Sequence, residues 1–124
     1  LFTTAQPPAL AEASRVALSI LRAEGWRRDR LRTLVTSFRE AAAALPGLEL
    51  MPSSTPIQPL VVGEAARAVA MADRLGEHGL MVPAIRPPTV PRGSSRLRVT
   101  FSAAHEDGDL GRLLSALREC TTIA

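Results

Sequence analysis

The stretch from Ala84 to His105 reads Ala-Ile-Arg-Pro-Pro-Thr-Val-Pro-Arg-Gly-Ser-Ser-Arg-Leu-Arg-Val-Thr-Phe-Ser-Ala-Ala-His, a proline-framed loop running into an arginine-bearing strand. Alternate residues of a strand share a face, so Leu97, Val99 and Phe101 would turn toward a core and Arg96, Arg98 and Thr100 away from it. A guanidinium fixed on such a lattice grips a carboxylate through two parallel hydrogen bonds, and Arg98 is the candidate for that role. Pro87, Pro88 and Pro91 fix three φ angles around Thr89, which lowers the entropy lost when the loop closes over a ligand. A plainer arrangement uses the same residues: Arg86, Arg96 and Arg98 pair with surface acids, and the prolines make a stiff connector. Spacing alone leaves both open.

Other chemistry-bearing residues offer less. His105 could act as a general base, but it directly precedes an acidic helix start, where a histidine more often ends the strand and closes the turn. His78 lies in a Gly-Glu-His-Gly turn with no second ligand at metal spacing, so no metal site is expected. Cys120 has no partner in the chain, which excludes an internal disulfide and suits a reducing compartment. No GxSxG elbow, phosphate loop, CxxC pair or HExxH helix appears, which removes the commoner motif-defined enzymes from this stretch. All fifteen basic residues are arginine. Without lysine, no side chain of this sequence can form a Schiff base with an aldehyde cofactor.

Composition narrows the class further. A length of 124 residues and an apolar fraction of 46% suit one domain with a real core. The net charge is only +3, and Arg27, Arg28, Arg30 and Arg32 lack the interleaved aromatics of a nucleic-acid surface. They read better as a solvated helix face, so no nucleic-acid partner is expected. No apolar run approaches the roughly 20 residues of a membrane span and no secretory signal opens the chain. The expectation is a cytoplasmic protein with no membrane partner. The apolar start at Leu1 and Phe2, without methionine, suggests a fragment.

These residues need elements to position them. Leu10, Ala13, Val16, Ala17, Ile20 and Leu21 keep helical spacing from Pro7-Pro8 to Gly25, and Leu31, Leu34, Val35, Phe38, Ala42 and Leu45 keep it from Trp26 to Pro46-Gly47. Strands are expected at Leu48 to Met51, Ile57 to Val62, Leu80 to Ile85 and Leu97 to Phe101, with Pro59 and Pro83 marking edges or bulges. A helix marked by Ala65, Val69, Ala72 and Leu75 ends at Gly76 or Gly79, and a last helix carries Leu110, Leu113, Leu114 and Leu117 with Asp107 and Asp109 at its positive end. The order β-β-α-β-β-α implies an α/β (α+β) small domain, a mostly antiparallel sheet with helices on one face. Residues 1–47 would form a helical arm and residues 48–124 the compact unit.

The run from Ala84 to Pro91, Gly93, Arg96-Leu97-Arg98 and Ser102 to His105 resembles the C-terminal region of the pyridoxal-phosphate-dependent α-oxoamine synthases. Phe2 to Ala5, Pro7 to Ala9 and Thr55 to Leu60 resemble the same family, and Ile85 to Pro91 looks most like its biotin-pathway member. The resemblance implies the C-terminal domain of the fold type I aminotransferase-like fold in a homodimer, preceded by a long connecting helix to a large cofactor domain. It implies condensation of L-alanine with a pimeloyl thioester, carried on coenzyme A or acyl carrier protein, with loss of carbon dioxide. Arg98 matches the arginine that holds the carboxylate, Thr89 matches a substrate-contacting loop residue, and Arg86 would reinforce the same pocket. Thr3 or Thr4 matches a hydroxyl reaching the partner subunit's cofactor phosphate. The lysine that binds pyridoxal 5'-phosphate would precede Leu1, so the isolated chain is expected to be inactive. Glycine C-acetyltransferase-like chemistry, or a stand-alone amino-acid-binding regulatory module, are the alternatives.

Overall fold

The computed structural model describes residues 5–122. Two helices come first, α1 at Pro8–Ala23 and α2 at Trp26–Ala42. Pro8 suits the first turn of α1 because its missing N–H has no helical partner there in any case. The chain continues through β1 (Glu49–Leu50), β2 (Ile57–Gly63), α3 (Ala65–Glu77), β3 (Ala84–Ile85), β4 (Ser95–Thr100) and α4 (Asp107–Thr122). The β-β-α-β-β-α order matches the sequence reading. The four strands form one antiparallel sheet in the order β1-β2-β4-β3.

The sheet has one buried face. Gln58, Leu60 and Val62 of β2 and Ser95, Leu97 and Val99 of β4 point into the core, with Phe101 just beyond β4. Leu34, Phe38 and Ala42 of α2, Ala68, Met71 and Leu75 of α3, and Leu113, Ala116, Leu117 and Cys120 of α4 cover them. Phe38 and Phe101 meet with ring centroids 5.2 Å apart in a tilted pair.

Several expectations shift. Among the described residues α1 buries nothing, whereas α2 and Leu45 belong to the core. The third strand is only Ala84–Ile85 rather than Leu80 to Ile85. Its predicted first residue is committed to ending α3, because the Leu80 N–H donates to Leu75 O at 2.9 Å and the Gly79 N–H to Gly76 O at 2.9 Å. Gly79, at φ 72°, supplies the left-handed turn of this Schellman closure. Pro59 lies in an inner strand, not an edge, at the point where β1 has run out; its carbonyl accepts the Met51 N–H at 3.1 Å. On α3 it is Ala68 and Met71 that bury with Leu75, while Val69 is exposed. The α2 arginines are not all solvated: Arg30 donates to His105 O at 2.9 Å and pairs with Asp107 at 2.7 Å, and Arg39 donates to Gln58 Oε1 at 2.6 Å and Met51 O at 3.1 Å.

The start of α4 is closed by its own acid. The Asp109 carboxylate accepts the Glu106 N–H at 2.8 Å, the reach-back half of a capping box, and pairs with Arg112. The bond from the Glu106 N–H and then that from Arg112 hold the Asp109 carboxyl below the usual aspartate range.

Two outcomes follow. Phe38→Ala removes a ring with no solvent exposure and should cost about 3–5 kcal/mol in urea unfolding; an unchanged midpoint would mean the core is not as described. Because the Asp109 pKa is depressed in the folded state, its contribution is present above the ordinary aspartate pKa and disappears as pH falls through the lowered one. An NMR titration should place its midpoint below that of an unstructured aspartate, and a midpoint at or above it would contradict the cap.

Candidate functional site

β4 lies between β2 and β3, so the residues on its outward face stand on backbone paired from both sides. Arg98 lies opposite Pro59, Thr100 opposite Ile57, and Arg96 opposite Val61 on one side and Ile85 on the other. The backbone of Arg98 is tied on the β3 side too, its N–H donating to Pro83 O at 3.0 Å. Its side chain is exposed and makes no hydrogen bond or ion pair within the described residues. The surface-pairing arrangement therefore does not hold for Arg98: its five donors face outward from a fixed strand and are available to an incoming carboxylate.

Arg96 is different. Half-buried, it donates through Nε to Ser94 O at 3.1 Å, through Nη2 to Ser94 Oγ at 3.4 Å and through Nη1 to Met51 Sδ at 2.8 Å. None of these acceptors is an anion.

The proline-framed loop is a closed turn. The Thr89 N–H donates to Arg86 O at 3.0 Å, and the Ser94 N–H and hydroxyl donate to Pro91 O at 3.2 and 2.8 Å. The Pro87-Pro88 peptide is cis, and Gly93, at φ 76°, takes a left-handed turn before β4. The Thr89 side chain is exposed. Arg86 follows β3, is exposed, and lines a shallow 420 Å³ depression with Ala66, Val69, Ala70 and Asp73 of α3. Thr3 and Thr4 lie outside the described residues.

The histidines keep structural roles. His105 Nδ1 accepts the Ser102 N–H at 3.2 Å and its ring meets the edge of Phe101 at 6.2 Å, so it closes the turn after β4. His78 approaches Glu119 at 3.4 Å. Cys120 is buried, and desolvation raises its thiol pKa above the ordinary value, away from nucleophilic use. Among the described residues no cluster could hold a metal ion, and no helix is long and apolar enough to cross a membrane. What sequence reasoning missed is the Gln58–Arg39 connection behind β2; a glutamine between Ile57 and Pro59 in an apolar strand was the available signal.

This sheet with its three covering helices and outward arginines has the architecture of the small C-terminal domain of fold type I enzymes. Residues 1–117 match the family described as aminotransferase class I and II, and the chain belongs to that family. Within it, the chain is similar to 8-amino-7-oxononanoate synthases. It is 57% identical over 120 residues to that of Stutzerimonas stutzeri (strain A1501), covering 97% of this chain and 30% of the relative. It is 59% identical over 116 residues to that of Thioalkalivibrio sulfidiphilus (strain HL-EbGR7), covering 94% and 29%. The chain thus spans about 30% of the length of the curated relatives it matches. Among solved structures, the 8-amino-7-oxononanoate synthase of Francisella tularensis superposes with a TM-score of 0.83 at 26% identity, over 99% of this chain and 36% of that one. Serine palmitoyltransferase from Sphingomonas wittichii gives 0.88 at 25% identity, over 99% and 31%.

An exposed Arg98 with no partner among the described residues contributes little to folding. Arg98→Ala should change the unfolding free energy of this chain by less than about 1 kcal/mol in urea titration; a larger loss would show that Arg98 is a structural residue.

Proposed function

We propose that this chain acts within a pyridoxal-phosphate-dependent 8-amino-7-oxononanoate synthase that condenses L-alanine with a pimeloyl thioester and releases carbon dioxide. The observation that carries the reading is Arg98, a guanidinium held on an inner strand with no partner among the described residues. Similarity to 8-amino-7-oxononanoate synthases along 97% of the chain supports the same conclusion.

In this reading Arg98 grips the alanine carboxylate through two charge-assisted hydrogen bonds. Its fixed strand limits the rotation of the bound amino acid and so orients the bond to the carboxyl group that is finally lost. Thr89, at the tip of the closed proline turn, offers a hydroxyl toward the substrate. Arg86, which also lines the depression against α3, would reinforce the same anionic pocket.

The residues described here do not by themselves fit pyridoxal 5'-phosphate. The sequence has no lysine to take its aldehyde, and the hydroxyls proposed for its phosphate, Thr3 and Thr4, are not among the described residues. Covalent cofactor chemistry is therefore assigned to the remainder of the synthase, and the 124-residue chain alone should neither bind pyridoxal phosphate covalently nor turn over alanine. The acyl carrier, coenzyme A or acyl carrier protein, and a homodimeric assembly belong to the same proposal.

In the full-length synthase, Arg98→Ala should reduce kcat/KM for L-alanine by about 30- to 1,000-fold, matching the loss of roughly 2–4 kcal/mol for a charge-assisted bidentate contact. Arg98→Lys should recover only part of it, because an ammonium cannot reproduce the planar fork. Steady-state kinetics decide the matter, and wild-type parameters for Arg98→Ala would show that the carboxylate is held elsewhere.

A further inference from the structure

The outward face of the sheet carries a second cation with no anionic partner among the described residues. Arg96 shares that face with Arg98, two residues along the same strand, which separates their Cα atoms by roughly 7 Å. Its guanidinium is half-buried and fully charged, yet it is solvated by a carbonyl, a hydroxyl and a thioether: Ser94 O, Ser94 Oγ and Met51 Sδ. The strand register shows how isolated this charge is. The row containing Arg96 runs Glu49, Val61, Arg96, Ile85 across the four strands, and the neighbouring rows pair Arg98 with Pro59 and Thr100 with Ile57. Glu49 is the one acid in these rows, two strands away at about 10 Å, and it is exposed to solvent.

A charge removed from bulk water without a counter-ion costs free energy unless something else on the face returns it. The three contacts of Arg96 also direct its donors to Ser94 and Met51, so it is not set up to share a carboxylate with Arg98. We infer that Arg96 is a positioning residue: its fixed charge raises the positive potential at Arg98 and strengthens the hold on the substrate carboxylate without touching it. This inference rests on the Arg98 reading above and adds a second residue to it. Coulomb's law sets the scale. At a separation on the order of 7 Å in water the attraction corresponds to about threefold in affinity, and it grows as the face is covered and the effective dielectric constant falls. Such an effect is screened by salt, whereas a packing role is not.

The test is L-alanine binding to the full-length synthase, followed by calorimetry at low and high ionic strength, in the parent and in Arg96→Met, Arg96→Lys and Arg98→Ala variants. The parent should lose affinity as salt rises. Arg96→Met keeps the length and apolar contact of the stem but not the charge; it should bind about three- to tenfold more weakly at low salt, with a flatter salt dependence. Arg96→Lys keeps the charge and loses the fork to Ser94, and should stay within about twofold of the parent. Salt-independent binding by the parent overturns the inference without any variant. So does Arg96→Met binding like the parent, or Arg96→Lys failing as badly as Arg96→Met, since the latter would mark a structural anchor. If Arg98→Ala binds alanine normally, the site reading itself is wrong; if Arg98→Ala fails and Arg96→Met does not, only the role of Arg96 falls.

Discussion

The pleat of β4 is the constraint from which the rest of this structure follows. Paired with β2 on one side and β3 on the other, the strand must present Ser95, Leu97 and Val99 to the helices and Arg96, Arg98 and Thr100 to the open face. A slip of one residue would bury two guanidiniums and expose the core, so apolar burial and arginine placement are fixed by the same register. The position of Arg98 thus needs no dedicated scaffold. It results from Leu97 and Val99, on either side of it, being driven inward.

The helices lock that register from behind. Phe38 packs against Phe101 at the end of β4, Leu75 ends α3 beneath the sheet, and Arg39 reaches Gln58 to satisfy the polar side chain that β2 sends inward. Arg30 fastens the N-terminal half of α2 to the turn before α4 through His105 O and Asp107. Two arginines that look like surface charges in the sequence therefore tie the elements together. Among the described residues the open face, by contrast, receives no such ties except at Arg96.

Much of this was legible in the residues. The alternation Leu97, Val99, Phe101 predicted the strand, its faces and the projection of Arg98, because a period of two depends only on local geometry. The helix apolar spacing located α2 and α4, and the element order gave the antiparallel sheet. What was not legible depended on partners remote in sequence. Nothing near Leu80 announces that its N–H will close α3 instead of joining a strand. The half-burial of Arg39 depends on Gln58, nineteen residues away. The exposed apolar residues of α1, among them Leu10, Leu18 and Leu21, show that a strong helical pattern predicts the helix but not what covers it.

The central proposal is that Arg98 holds the carboxylate of the amino-acid substrate. The most direct measurement is a crystal structure of the full-length synthase with L-alanine bound. The account predicts two near-parallel contacts of about 2.7–2.9 Å between the Arg98 guanidinium and the carboxylate oxygens. A carboxylate bound by other residues, with Arg98 turned to solvent, would contradict it.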